Sequence, residues 1–329
     1  MCHNQTRIEN EAHQQTLLLP HRLGAMPEAA PLHIVSGKGG TGKTAVSLAL
    51  AHLLARSTGD VLVCEVEERH DLTGVMQVAM VPPGAERQIG RDGGAIRALS
   101  VAPRQALTDY LDHSFRLGLA GKVLEVSGLV DFVTELAPGL QDVLLIGKVY
   151  QASRRQMKEA SDAVQAVILD APPTGRIETF LTAGEALAEV VTGGPIRHQA
   201  ESIMDLLRSE TTRVHLVTTL SEMAVTETLT TLASLRKHRI RPGRVIANLV
   251  PDEVPELPPL DDPDHRVARA HAAEKMVVAA QQPWRRLLTE TLAEAGMAPL
   301  VNLPLLPDEV DAAAVRQLAD LLQPQWRTS

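Results

Sequence analysis

Two lysines and four glycines fall within a run of nine residues near the start of the chain, residues 36–44, which reads Ser-Gly-Lys-Gly-Gly-Thr-Gly-Lys-Thr. Glycines let the backbone curl so that its N–H groups converge on a phosphate, and a following helix adds the favourable end of its dipole. Residues 37–44 fit G-x-x-x-x-G-K-[ST] in full, a pattern in which Lys43 contacts the outer phosphates of a nucleotide and Thr44 ligates Mg²⁺. We call this stretch the phosphate loop and predict that its binding residues are Gly37, Lys38, Gly39, Gly40, Thr41, Gly42, Lys43 and Thr44.

Such a loop needs a strand before it and a helix after it, and the sequence supplies both. The apolar run LHIVS precedes the loop, AVSLALAHLLAR has the apolar spacing of a helix, and VLVCEVE predicts a second strand. This order is typical of a parallel α/β sheet. Further strands are predicted at 163–170, 213–219, 244–250 and 299–304. The predicted fold class is therefore α/β, a P-loop NTPase with a mainly parallel central sheet flanked by helices.

Two long segments, residues 104–160 and 177–210, contain only helical patterns. We predict that they form a small helical subdomain above the carboxyl edge of the sheet, where ligands of such folds bind. The alternative is that they are ordinary crossover helices. The P-loop domain is predicted to span 31–323, between a disordered N-terminal tail at 1–30 and a C-terminal tail at 324–329.

Composition restricts the classes of partner. The chain has 329 residues, a net charge of −8 and only two cysteines, Cys2 and Cys64. A nucleic-acid or anionic-lipid binder is usually basic, and no stretch approaches the roughly 20 apolar residues of a membrane span. Two cysteines cannot form a disulfide framework. We therefore predict a cytoplasmic protein with no nucleic-acid partner and no stable membrane insertion.

Lys38 adds a second lysine to the phosphate loop and turns it into K-G-G-x-G-K-[ST]. This form resembles the deviant phosphate loop of the arsenical-pump and tail-anchored-protein-targeting ATPases. Residues 167–176, VILDAPPTGR, resemble the switch II segment of that family, and we use that name for them. The resemblance implies that Lys38 reaches the nucleotide of a dimer partner and that Asp170, with Thr44, positions Mg²⁺. Taken alone, Lys38 could instead be a solvated loop lysine, and Asp170 a buried structural acid.

Two weaker segments resemble the adenine-binding parts of the same family. VIANLVP places Asn248 at a strand end, and LPLLPDEV places Pro304 and Leu305 where the family packs against the base. A strand-end asparagine is, taken alone, often only a turn residue. No N-K-x-D segment for guanine is found, so the implied cofactors are ATP and Mg²⁺. The implied partners are a second copy or a related ATPase subunit, and a protein client.

The sequence departs from the family pattern at residues 67–72, EERHDL, which we call the switch I segment. The family reads D-P-A-H-[SN]-L there, and its aspartate orients the attacking water. Glu67 takes the place of that aspartate, and Asp71 is the alternative carboxylate. One more methylene moves a carboxylate by roughly an ångström, which can cost about a hundredfold in rate. With the two lysines of the phosphate loop, the predicted catalytic residues are Lys38, Lys43 and Glu67.

The rival hypothesis is a regulatory or scaffold subunit with little hydrolysis.

Two further departures concern the partner and switch II. Arg176 stands where the family has histidine, with phosphate contact, partner contact or solvation as the alternatives. The region between Asn248 and Pro304 lacks the C-x-x-C zinc site of eukaryotic tail-anchor-targeting members. Any dimer must therefore form without zinc, as in a bacterial type of this family.

Overall fold

The computed structural model describes residues 32–66, 69–115, 138–154, 164–256 and 265–326. The predicted N-terminal tail lies outside the described residues, and so does Glu67. The last described helix reaches Trp326, three residues past the predicted domain boundary at 323.

Helices and strands alternate along most of the described chain. The strands are β1 (Leu32–Gly37), β2 (Val61–Val66), β3 (Glu86–Asp92), β4 (Gly94–Val101), β5 (Ala166–Asp170), β6 (Thr212–Thr218), β7 (Pro242–Val250) and β8 (Val301–Pro304). The helices are α1 (Lys43–Thr58), α2 (Asp71–Val75), α3 (Pro103–Phe115), α4 (Pro138–Arg154), α5 (Thr174–Val190), α6 (Pro195–Arg208), α7 (Glu222–Lys237), α8 (His265–Glu294) and α9 (Ala312–Trp326).

The strands form one eight-stranded sheet in the order β3-β4-β2-β5-β1-β6-β7-β8. Neighbouring strands run parallel, except that β3 is antiparallel to β4. The predicted mainly parallel α/β sheet is confirmed. Because parallel strands end at the same edge, the segments that follow β1, β2 and β5 meet near the middle of the sheet.

The β3–β4 hairpin is an element that the sequence analysis did not predict. Its turn falls at Asp-Gly-Gly, residues 92–94, a strong hairpin signal between two strands. The register of the hairpin shifts between Gln88 and Gly90. Strand β3 carries mostly polar side chains that are exposed or half-buried, so it lacks the buried apolar run that marks the central strands.

Alternate residues of the central strands pack into two separate aliphatic clusters, as expected when successive side chains point to opposite faces of a sheet. Leu62 and Cys64 of β2 belong to one cluster, and Val61 and Val63 belong to the other. Helices α1 and α9 cover the second cluster. Both faces of the sheet are therefore buried, as a parallel sheet requires.

The predicted helical segments lie on the first cluster. Buried residues of α4, α5 and α6, such as Val143, Phe180 and Ile203, share that core with Leu32 of β1. Helix α4 contacts α5, and α5 contacts α6. These helices therefore pack on the sheet as well as on each other, and a separate subdomain stays a prediction. None of the described helices has a stretch long and apolar enough to span a bilayer.

A buried histidine pair joins two central strands. His33 Nδ1 lies 3.0 Å from His215 Nε2, and His215 Nδ1 accepts a hydrogen bond from the backbone N–H of Arg244 at 2.9 Å. Since Nδ1 of His215 is an acceptor, its Nε2 carries the proton and donates to His33. Burial lowers the pKa of His215 well below its usual value, and nearby His33 and Arg244 lower it further.

Because of this histidine pair, we expect the protein to lose stability below neutral pH. The unfolded chain binds a proton at His215 near pH 6.5 while the folded chain does not, so the free energy of unfolding falls as the pH drops below about 6.5. We expect a slope of up to about 1.4 kcal/mol per pH unit from this residue. Urea unfolding at several pH values, compared with His215→Gln, measures it. Burial also lowers the pKa of His52, so the effect of His215 is the difference between the pH curves of wild type and His215→Gln. Identical slopes in the two proteins would contradict the role given to His215.

Candidate active site

The phosphate loop leaves the carboxyl end of β1 between β5 and β6 and enters α1. At two positions of the loop only glycine fits, because atoms of neighbouring strands lie too close for a side chain. A Cβ on Gly37 would overlap the Val217 carbonyl, and a Cβ on Gly42 would overlap the Asn248 side-chain amide. Gly42 also has φ of 81°, in the left-handed region that favours glycine. The glycine spacing is therefore fixed by the neighbouring strands β6 and β7.

Lys43 begins helix α1 and is largely buried inside the curl of the loop. Its Nζ lies 3.4 Å from the carbonyl oxygen of Lys38, and the Thr41 hydroxyl donates to the same oxygen at 2.8 Å. Burial lowers the pKa of Lys43, while Asp170 acts to raise it. The arrangement places one ammonium group and the free N–H groups of a helix start in one concave turn, which suits a phosphate group.

Asp170 ends β5 directly opposite the start of α1. Thr44 Oγ1 donates to its Oδ2 at 2.9 Å, and Ser47 Oγ donates to its Oδ1 at 3.1 Å. The carboxylate is fully buried, and burial raises its pKa. A hydroxyl and a carboxylate side by side are hard oxygen donors of the kind that Mg²⁺ takes with nucleotide phosphates, so Thr44 and Asp170 fit the predicted metal role.

Part of the switch I segment closes over this carboxylate. Arg69 donates through one NH2 group to the Asp170 carbonyl at 2.8 Å and to Asp170 Oδ2 at 3.2 Å. Glu65, at the end of β2, accepts hydrogen bonds from the backbone N–H groups of Asp71 and Leu72 at 2.7 and 3.2 Å. Glu65 thereby fixes the start of α2. Burial raises its pKa, although those two hydrogen bonds lower it.

Lys38 is paired within its own chain. Its Nζ donates to Glu227 of α7, and the second oxygen of Glu227 accepts from the Thr174 hydroxyl of switch II at 2.7 Å. The Lys38 side chain is one-third exposed. Hydrogen bonding to Lys38, and then to Thr174, lowers the pKa of Glu227. The phosphate loop and switch II are thus joined through one carboxylate.

The predicted adenine-binding residues lie beside the loop, at the carboxyl ends of β7 and β8. The Asn248 side-chain amide is buried and donates to the Thr41 carbonyl at 2.9 Å. Pro304 ends β8, and the Leu305 N–H donates to the Val250 carbonyl at 2.7 Å. Leu305 exposes half of its surface. Asn248 therefore supports the phosphate loop directly, and its contact with a base stays a prediction.

Arg176 of switch II donates to Asp142 of α4 at 2.6 Å. This ion pair ties the start of α5 to α4. The sequence left phosphate contact, partner contact and solvation open for Arg176. The structure shows a different arrangement, an ion pair with Asp142.

Sequence reasoning missed Glu65, Arg69 and Glu227 as parts of this site. Glu65 was hidden inside an apolar strand, where one acidic residue in VLVCEV was the available signal. Arg69 was visible as a basic residue in the switch I segment, but no pattern linked it to Asp170. Glu227 lies in SEMAVTETL, a segment that resembles the family without indicating a pair with Lys38.

The fold and the site together define a P-loop ATP hydrolase. A parallel sheet carries the phosphate loop on its central strand, and the strand-end carboxylate of β5 faces the loop threonine. Residues 32–206 match the model of the anion-transporting ATPase family. ATPase BagA of Mycobacterium tuberculosis is 35% identical over 321 residues, which cover 89% of this chain and 93% of that protein. ATPase get3 of Neurospora crassa is 27% identical over 147 residues, or 45% of this chain and 41% of that protein.

The chain therefore belongs to the anion-transporting ATPase family. The family assignment made from the phosphate loop and switch II is confirmed, and so is the assignment as an ATPase.

Proposed function

We propose that this ATPase is Mg²⁺-dependent and works as a nucleotide-gated dimer that acts on a protein client or partner subunit. The observation that carries the proposal is the hydrogen bond of 2.9 Å between Thr44 and Asp170, beside the buried ammonium of Lys43. Together these groups match the hydroxyl, carboxylate and cation that nucleotide triphosphates require.

Each residue has a distinct role in this proposal. Lys43 and the amides of the phosphate loop hold the β- and γ-phosphates. Thr44 and Asp170 hold Mg²⁺, which supplies charge neutralisation at the phosphates when bound. Asp71 is among the acids whose charge acts to raise the pKa of Lys43, whereas Glu67 lies outside the described residues. One of these two carboxylates orients the attacking water.

Lys38 supports the dimeric part of the proposal. The lysine lies on an exposed loop with Gly39 and Gly40, so it is accessible to a second subunit. In the state described, its ammonium is held by Glu227 of the same chain. Closing of a dimer would move Lys38 from Glu227 to the partner's nucleotide. Because Glu227 also binds Thr174, the same exchange would release switch II.

A cytoplasmic location is part of the proposal, and so is a partner that is either a second copy or a related ATPase subunit. They rest on the sequence alone, through its cysteine content and the resemblance of the phosphate loop.

The second candidate function is a regulatory subunit that binds ATP and scarcely hydrolyses it. Arg69 favours this candidate, because its guanidinium is bound to Asp170, the residue proposed to position Mg²⁺. Arg69 also belongs to the switch I segment, which departs from the family pattern. A multiple-turnover phosphate-release assay separates the two candidates. Sustained release supports the enzyme, and no release with any partner supports the regulatory subunit.

The same assay identifies the carboxylate that orients water. We expect Glu67→Gln to reduce kcat by about a hundredfold or more, since a misplaced or uncharged group loses that much. Asp71→Asn serves as the matched control, because it removes one carboxylate from the same segment. A large loss in Asp71→Asn with normal turnover in Glu67→Gln would assign the role to Asp71 instead.

A further inference from the structure

Arg69 makes an unusual set of contacts for a residue in a switch segment. Its NH2 group donates to both the carbonyl and the carboxylate of Asp170, at 2.8 and 3.2 Å. Its Nε donates to the Val66 carbonyl at 3.4 Å, and its NH1 lies 4.0 Å from Asp71. The guanidinium is therefore held by β2, β5 and its own segment together.

The oxygen that Arg69 contacts is the one that faces the metal position. Asp170 Oδ2 accepts hydrogen bonds from both Thr44 and Arg69, while Ser47 binds Oδ1. A carboxylate oxygen has two lone pairs, and on Oδ2 the hydrogen bonds from Thr44 and Arg69 already use both, so a cation that binds this oxygen has to displace one of them. Cation and arginine compete for the same side of one carboxylate.

Charge explains why an arginine lies there. Asp170 is fully buried, and a buried carboxylate without a counter-ion is strongly unfavourable. Glu65 of β2 is directly opposite Asp170 in the sheet, which places a second buried carboxylate nearby. Lys43 alone would leave this pair under-neutralised. Arg69 supplies the missing positive charge.

We propose that Arg69 is a resident counter-ion at the metal position, which neutralises Asp170 in the metal-free protein and is displaced when Mg²⁺ binds. The inference rests on the proposed function, in which Asp170 positions Mg²⁺. It concerns a position where the chain departs from the family pattern D-P-A-H, which has alanine in place of Arg69. An alanine there could not compete with the metal.

Displacement of the Arg69 side chain would also affect the described residues that follow it in the switch I segment. Asp71 and Leu72 donate their backbone N–H groups to Glu65, so the start of α2 is fixed. His70 already adopts φ of 58°, a conformation rarely found for a residue with a side chain. Release of Arg69 would let the backbone at Arg69 and His70 rearrange. Metal binding and the position of the switch I segment are therefore coupled.

The experiment compares wild type with Arg69→Ala in thermal melting and in calorimetric binding of ADP, each in EDTA and across a Mg²⁺ titration. In EDTA we expect Arg69→Ala to melt about 5 °C lower, because a buried charge has lost its partner. With ADP and saturating Mg²⁺ the melting temperatures should converge. The Mg²⁺ concentration at half-saturation should fall by about tenfold, since the competitor has been removed.

Arg97→Ala is the matched control. Arg97 has a similarly half-buried side chain and an ion pair of 2.8 Å with Asp60, away from the phosphate loop. Its loss should lower the melting temperature equally with and without Mg²⁺. Arg69→Lys keeps a cation without the guanidinium fork and should lie between wild type and Arg69→Ala in both measurements. It also provides the test if Arg69→Ala fails to fold.

The results separate this inference from the function on which it rests. If wild type responds to Mg²⁺ but the deficit of Arg69→Ala is the same in EDTA and in Mg²⁺, Arg69 is only structural and the inference is wrong. An unchanged half-saturating Mg²⁺ concentration would also overturn it. If wild type itself binds ADP no differently with Mg²⁺, the proposed Mg²⁺-dependent function fails.

Discussion

Replacing Lys43 with alanine is expected to abolish ATP binding as measured by calorimetry. Lys43 is the buried cation of the phosphate loop, and Asp170 and Asp71 are the acids that act on it. Removing one member of a desolvated charge pair costs about 2–5 kcal/mol, and each 1.4 kcal/mol is tenfold in affinity. The expected loss in affinity is therefore about 30-fold to 4,000-fold. Its cause is the loss of direct phosphate contact.

The matched control for Lys43→Ala is Lys237→Ala. Lys237 is an exposed lysine at the end of α7, so its removal changes the net charge equally without touching the phosphate loop. Binding by this variant should equal that of wild type. Circular dichroism of both variants checks that the overall helical content is unchanged. Tight ATP binding by folded Lys43→Ala would remove the phosphate loop from the nucleotide site.

Two of the three cations discussed for this site are paired with acids of the same chain. Lys38 is paired with Glu227, and Arg69 is paired with Asp170. Lys43 instead points into the loop, toward a backbone carbonyl. In the proposed function, Lys43 would bind a phosphate group directly, whereas Lys38 and Arg69 would first have to exchange partners. Nucleotide binding, metal binding and subunit closing would then be separate steps with separate residues.

The sequence was sufficient for the parts of the site that lie close together in the chain. The motif itself predicts a strand before the phosphate loop and a helix after it. The motif also fixes Gly37 and Gly42, where β6 and β7 leave no room for a side chain. Asp170 was predictable because an apolar strand that ends in a carboxylate delivers it to the carboxyl edge of the sheet. Local pattern and sheet topology determine these positions together.

Contacts between distant residues could not be predicted in the same way. Lys38 and Glu227 are 189 positions apart, and Arg69 and Asp170 are 101 apart. Whether their side chains meet depends on the order of strands and the direction of each helix, neither of which a single segment encodes. The β3–β4 hairpin was missed for a different reason: its exposed edge strand has no apolar run, although Asp-Gly-Gly marked the turn.

Replacing Lys38 with alanine is expected to reduce kcat by about 10³-fold or more, the effect of removing a cation that a partner supplies to a phosphoryl transfer site. ATP binding to the separate subunit should change little, because Lys43 and the loop amides remain. The measurement is steady-state phosphate release, with the affinity for ATP measured separately. Hydrolysis at the wild-type rate would show that Lys38 has no part in the reaction.

Mixing two inactive variants decides whether Lys38 acts on its own nucleotide or on its neighbour's. Lys38→Ala keeps an intact pocket, and Asp170→Asn keeps Lys38 but lacks the carboxylate that positions the metal. In a mixed dimer one pocket has both, if the lysine comes from the partner. Random pairing makes half of the dimers mixed with one working site each, so about a quarter of wild-type activity should return. If Lys38 served its own pocket, every site in the mixture would lack one group, and activity would stay at the level of the separate variants.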